Sequence, residues 1–183
     1  MRFCQTESSG AWVIEPAPLF DDRGSFSRTF CKDEFSANGL VSFFPQHSVS
    51  HSLLKHTIRG LHFQTSPHQE DKLVSCSRGA IWDVAVDLRL GSPTFLKWTS
   101  CVLSAQNGTS FYIPKGFAHG FQTLCDDVVV SYLISTRYSA AHAYGLRYDD
   151  EALGITWPTA PSVISEKDAS WPLVNTPFRD IAD

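Results

Sequence analysis

No stretch of this chain approaches the roughly 18 consecutive apolar residues that a membrane-spanning helix needs, so no membrane partner is expected. Basic residues are not in excess either. Fifteen Lys and Arg against 19 Asp and Glu give a formal charge of -4, which supplies no broad field for nucleic acid. An anionic ligand would need a local group of Arg and Lys side chains. The five cysteines, Cys4, Cys31, Cys76, Cys101 and Cys125, form no CxxC pair and follow no signal peptide. That pattern reads as reduced thiols in a cytoplasmic protein rather than as a disulfide frame. Internal repeats and low-complexity tracts are missing too.

What is present favours strands. The chain is 43% hydrophobic and 13% aromatic, and its 183 residues suit one domain over 1–183, with a tail from 173 onward. Seven short strands are predicted in the middle of the chain: Ile58 to Phe63, Lys72 to Arg78, Ala80 to Leu88, Lys97 to Leu103, Ser110 to Ile113, Gly120 to Leu124 and Val128 to Ser135. Turn material such as Ser77-Arg78-Gly79 and Gln106-Asn107-Gly108 separates them. Many short strands with regular turns indicate an all-β sandwich, jelly roll or barrel. Upstream, Asp21-Asp22-Arg23-Gly24 is a turn signal, and Ser25 to Phe30 alternates as a half-buried strand does. Phe43 to Ser52 reads as a strand with Gln46, Ser48 and Ser50 on one face, either solvated or lining a ligand. Short helices are expected over Lys32 to Gly39, around Ser139 to Tyr144, and after Ser165, where Asp168 stands at the capping-box position.

Two segments carry titratable residues inside apolar text: Arg59-Gly60-Leu61-His62-Phe63-Gln64 and Ile113-Pro114-Lys115-Gly116-Phe117-Ala118-His119-Gly120-Phe121. They are expected to face each other across the mouth of one barrel. The spacing Pro114-x-Gly116-x-x-His119 matches the second signature of the cupin barrels, many of which bind a metal. The first signature of the metal-binding members needs two His one residue apart followed by a Glu, and this chain has His62-Phe63-Gln64 instead. Without a metal, His62, Lys72, His119, Tyr132 and Asp168 supply a base, an ammonium, a second imidazole, a phenol and a carboxylate. That set suits abstraction of a proton beside a carbonyl and its return from the other face.

Taken in order, Asp22-Arg23-Gly24, the segment around His62, Lys72-Leu73-Val74, Asp83 to Arg89, Gly91-Ser92-Pro93-Thr94-Phe95, the segment around His119 and Asp149-Asp150 to Trp157-Pro158 resemble the nucleotide-sugar 3,5-epimerases typified by dTDP-4-dehydrorhamnose 3,5-epimerase. The likeness runs from about Ile14 to Pro172. It implies a cupin-type jelly-roll barrel with a few short peripheral helices, forming a homodimer with exchanged N-terminal strands. The implied reaction inverts C3 and C5 of a nucleoside-diphosphate 4-keto-6-deoxyhexose without metal or cofactor. By position, His62 is the implied base, Asp168 its partner, Tyr132 the acid and Lys72 the group that stabilises the enolate. Arg23, Arg59, His119 and Lys167 match positions that hold the diphosphate or flank the sugar, Gln46 contacts the nucleoside and Tyr138 stacks on the base. Ser48 shares the face of Gln46. Arg28 and Ala143 stand on the nucleotide side where the thymidine enzymes usually carry Glu, and Leu133 replaces a usual Lys. Inversion of one carbon only, a metal-dependent cupin enzyme and a non-catalytic sugar-binding module are the competing readings.

Overall fold

In the computed structural model, which describes residues 1–174, thirteen strands and two short α-helices follow one another along the chain. β1 (Arg2–Gln5), β2 (Trp12–Glu15), β3 (Leu19–Asp21) and β4 (Gly24–Phe26) precede α1 (Lys32–Ala37). β5 (Gln46–Ser52), β6 (Ile58–Gln64), β7 (Lys72–Arg78), β8 (Ala80–Asp87), β9 (Trp98–Ser104), β10 (Ser110–Ile113), β11 (Phe117–Thr123) and β12 (Val128–Ile134) form the body. A 3-10 turn at Ala140–His142, β13 (Ala143–Gly145) and α2 (Glu166–Ala169) complete it. One sheet runs β1-β2-β10-β7-β12-β5 and the other β13-β6-β11-β8-β9, while β3 and β4 form a separate hairpin. Neighbouring strands are antiparallel, and the two large sheets face each other as a jelly roll.

Alternation along each strand decides what the two sheets share. Val128, Val130 and Tyr132 of β12, Val74 and Cys76 of β7 and Phe111 and Ile113 of β10 point inward. They meet Ile81 and Ala85 of β8 and Phe117 and Phe121 of β11, so one end of the interior is apolar and closed. The opposite face of the β6–β11–β8 sheet is covered as well. There Leu61, Phe63, Val84, Val86 and Ala118 pack against Leu146, Leu153, Ile155 and Trp157. Covering both faces explains why β11 is buried at every residue. It also fixes the path of the chain beyond β13, which then returns to β6 through α2. On the outside of the six-stranded sheet, Phe35 of α1 is fully buried among Ile14, Leu73 and Tyr112, with Phe30 4.8 Å and Phe3 5.4 Å away between ring centroids.

Strand boundaries agree with the expected ones to within a few residues, and β7 and β10 agree at both ends. Three differences have physical reasons. β11 begins at Phe117, because Gly116 takes the turn at φ +81° and leaves His119 within the strand. The run Ser25 to Phe30 is not a half-buried strand: only Gly24–Phe26 pairs, with Leu19–Asp21, and Phe26 is 75% exposed. Alternation divides a strand into two faces without supplying anything to cover one of them. Leu133 faces outward into the Phe35 cluster, where a Lys would lose its hydration. The strands β1 and β13 had no counterpart in the sequence reading, and the tail expected from 173 onward lies outside the described residues after 174.

Phe35→Ala should cost about 3–5 kcal/mol, the usual range for a large side chain removed from a closed core. The urea midpoint of the variant against wild type measures it.

Candidate active site

Between the sheets, at the end left open by the apolar core, lies a cavity of about 440 Å³. β6 and β11 form one wall, with His62 and His119 directly opposite each other in register. The two segments therefore do not face each other across the mouth as expected: they are neighbouring antiparallel strands of one sheet and lie side by side in the same wall. Close approach requires glycine on both strands: a Cβ on Gly60 would lie 2.6 Å from the Gly120 Cα, and one on Gly120 2.9 Å from the Arg59 carbonyl oxygen. β5, β7 and β12 form the other wall and present Gln46, Ser48, Ser50, Lys72 and Tyr132.

Asp168 closes one side. Its N–H is capped by the Ser165 hydroxyl at 3.1 Å, so Ser165 is the helix cap as expected, but the Asp168 carboxylate does not reach back to complete a capping box. It points into the cavity instead. Oδ1 lies 2.7 Å from His62 Nε2 and accepts the Trp171 indole N–H at 3.3 Å, while Oδ2 accepts the Gly60 N–H at 3.2 Å. Burial opposes ionisation of Asp168, but the His62, Gly60 and Trp171 donors outweigh it and hold the carboxyl below its ordinary value. With Nε2 engaged, His62 keeps Nδ1 free of protein partners among the described residues.

A second carboxylate–imidazole pair lies deeper. His119 Nε2 is 2.7 Å from Asp83 Oδ1, both side chains are buried, and Asp83 Oδ2 has no partner among the described residues. Burial pushes the Asp83 carboxyl up, against the pull of His119 and the more distant Lys72 ammonium. Lys72 is itself paired, Nζ to Glu70 Oε1 at 2.9 Å, and it also donates to the His62 carbonyl at 3.4 Å. Glu70 is held in turn by the Gln64 amide at 2.6 Å. Tyr132 stands on the wall opposite His62, its hydroxyl 3.1 Å from Ser50 Oγ, and burial pushes its phenol well above the ordinary tyrosine range.

Toward the opening, Gln46 accepts the Tyr138 N–H at 3.1 Å and donates to Ser48 at 3.3 Å, so the face of β5 left undecided by the sequence lines the cavity. Arg59 reaches Ser52 and the His51 carbonyl, and the Lys167 ammonium lies 5.1 Å from the centre of the Trp171 ring. Of the residues singled out in the sequence, Gln46, Ser48, Arg59, His62, Lys72, His119, Tyr132, Tyr138, Lys167 and Asp168 all line this cavity. Arg23 and Arg28 do not. Arg23 is 89% exposed and paired with Asp21, and Arg28 is paired with Glu34. Ala143 does line the cavity, beside Tyr144.

The family model for dTDP-4-dehydrorhamnose 3,5-epimerase matches residues 5–176. The chain belongs to that family. A dTDP-4-dehydrorhamnose 3,5-epimerase of Sinorhizobium fredii is 48% identical over 87% of this chain and 83% of its own length. Among solved structures, the Legionella pneumophila epimerase in complex with dTDP-4-keto-L-rhamnose superposes with a TM-score of 0.89 at 37% identity, covering 97% of this chain and 96% of its own. A 3'-monoepimerase of Streptomyces bikiniensis in complex with dTDP-quinovose gives 0.90 at 32% identity, covering 98% and 91%. The chain is an epimerase on the cupin-type jelly roll. No group of three or more His, Cys, Asp or Glu suited to a metal occurs among the described residues.

Glu70, Asp83 and Trp171 join the site without having been singled out as site residues. Asp83 had a signal, an acidic residue on the inward face of the apolar strand β8; Glu70 had a weaker one, two positions before Lys72; Trp171 had none. The Asp168 carboxyl gives a testable sign. A folded-state value below the ordinary one contributes stability that is complete above the unfolded value and is lost as pH falls through the folded one. On the acid side of the range in which imidazoles titrate, the stability gap between wild type and Asp168→Asn, read from urea midpoints, should narrow as pH falls through the carboxylate range. A gap that widens on acidification within that range would contradict this assignment.

Proposed function

We propose that this chain converts dTDP-4-dehydro-6-deoxy-D-glucose to dTDP-4-dehydro-L-rhamnose by inverting C3 and C5, acting as a single-domain homodimer in the cytoplasm. The observation that carries the reading is a carboxylate-backed imidazole and a phenol on opposite walls of one cavity that also holds an ammonium. The C4 ketone makes the protons on C3 and C5 acidic. His62 takes one of them through Nδ1, and Asp168 stabilises the imidazolium that results. The electron pair moves into an enolate whose oxygen is stabilised by Lys72. Tyr132, kept protonated by burial, returns a proton to the other face of the carbon. Exchange with solvent resets both groups before the second carbon reacts.

The remaining residues bind. Arg59, His119 and Lys167 suit the diphosphate and the sugar, with the Arg59 side chain bordering the cavity from β6. Gln46, Ser48 and Tyr138 suit the nucleoside. Arg23 and Arg28 reach no cavity within their own chain, but Arg23 sits on the β3–β4 hairpin, where Leu19, Phe20 and Phe26 are 72%, 77% and 75% exposed. So much uncovered apolar surface on two short strands fits a segment exchanged with a second copy, whose cavity Arg23 and Arg28 would approach. Inversion at one carbon remains the second reading, favoured by the likeness to the 3'-monoepimerase.

His62→Ala and Tyr132→Phe should each lower kcat by about 10²–10⁴-fold, while dTDP continues to raise the melting temperature of both. Full activity in either variant would overturn its role, and loss of dTDP stabilisation would move it from proton transfer to binding. Phe20→Asp combined with Phe26→Asp should shift the protein from dimer to monomer in sedimentation equilibrium. A dimer unchanged by both substitutions would exclude the hairpin as the exchanged element.

A further inference from the structure

We propose that Trp171 is a positioning residue of the His62–Asp168 pair, setting the strength of the carboxylate through its indole N–H and the orientation of the imidazole through its ring. The inference rests on the reading of His62 as the base.

Three contacts meet on this side chain. Its N–H donates to Asp168 Oδ1, the same oxygen that faces His62 Nε2. Its ring lies edge to face with His62, 6.5 Å between centroids at 71°. Its face carries the Lys167 ammonium at 5.1 Å. Local backbone produces the arrangement: α2 ends at Ser170, whose N–H returns to the Lys167 carbonyl, and the turn brings position 171 back beside position 168. Space for the indole is made by Gly145 on β13, where a Cβ would overlap the indole Nε1 and Cε2.

The chemical consequence follows from sharing one oxygen. A carboxylate oxygen with a second donor is a weaker acceptor for the imidazolium, so Trp171 keeps the pair from holding its proton too tightly. The edge-to-face contact also resists rotation of the His62 ring, which keeps Nδ1 aimed into the cavity. A residue that only filled space would do neither.

Trp171→Phe removes the N–H and keeps an aromatic ring. The other charged groups lining the cavity are Arg59 and His119 from β6 and β11, Lys72 with Glu70 on the opposite wall, and Lys167 beside Asp168, and all of them remain in the variant. In the ligand-free protein, NMR titration of the His62 ring should show the midpoint of the His62–Asp168 pair rising by about half a pH unit in the variant. The acidic limb of kcat/KM should move the same way, and kcat should fall about three- to tenfold with KM nearly unchanged. A midpoint and limb identical to wild type would reduce Trp171 to packing and overturn the inference. The Trp171 indole N–H resonance of the wild-type protein gives a check that needs no variant: it should titrate together with the His62 ring, and a flat resonance would also overturn the inference. Neither titration requires turnover, so a wild-type protein that exchanged no substrate hydrogen would sink the epimerase reading alone.

Discussion

Asp168 is a nearly buried carboxylate, and burying an ionised carboxyl without donors would be prohibitive. Its donors come from far apart in the chain: Gly60 and His62 on β6, more than one hundred residues earlier, and Trp171 three residues later. Satisfying that charge therefore requires the segment after β13 to cross the outside of the five-stranded sheet and deliver α2 to the edge of the cavity. The apolar layer of Leu146, Leu153, Ile155 and Trp157 stabilises this path. Packing on the outer face of the sheet and proton chemistry on its inner face are thus linked through one stretch of chain.

The interior is divided in the same way. Where β7, β8, β10, β11 and β12 bring only apolar side chains inward, the sheets close on each other. Toward the opening the same alternation brings Lys72, Asp83, His119 and Tyr132 inward, and each is paired with or close to another polar group. These pairs do not contribute much net stability, since desolvation offsets most of the attraction between buried charges. They hold an imidazole, an ammonium and a phenol in fixed positions around a space large enough for a sugar, with little reorganisation left for the reaction to cost.

The sheet architecture was legible because period-two patterning and turn residues are local. Lys72–Arg78 and Ser110–Ile113 could be bounded from their own text. His62, Lys72, Tyr132 and Asp168 were legible through motif order, and the structure brings them into one cavity. What escaped was set at long range. Nothing near Trp171 indicates that a helix-ending turn will place its indole on Asp168, and nothing near Phe26 indicates that its strand finds no cover within its own chain. The early start of β11 was a local error of another kind: Gly116, not Gly120, takes the left-handed turn, while Gly120 is needed for the approach of β6.

The most direct measurement of the central claim is the fate of substrate hydrogens in deuterated water. If His62 removes and Tyr132 returns protons beside the C4 ketone, the wild-type product carries solvent deuterium at both C3 and C5. Label at one carbon alone would make the chain a single-carbon epimerase. Turnover with no label at either carbon would contradict proton transfer with solvent-exchanged groups as its chemistry.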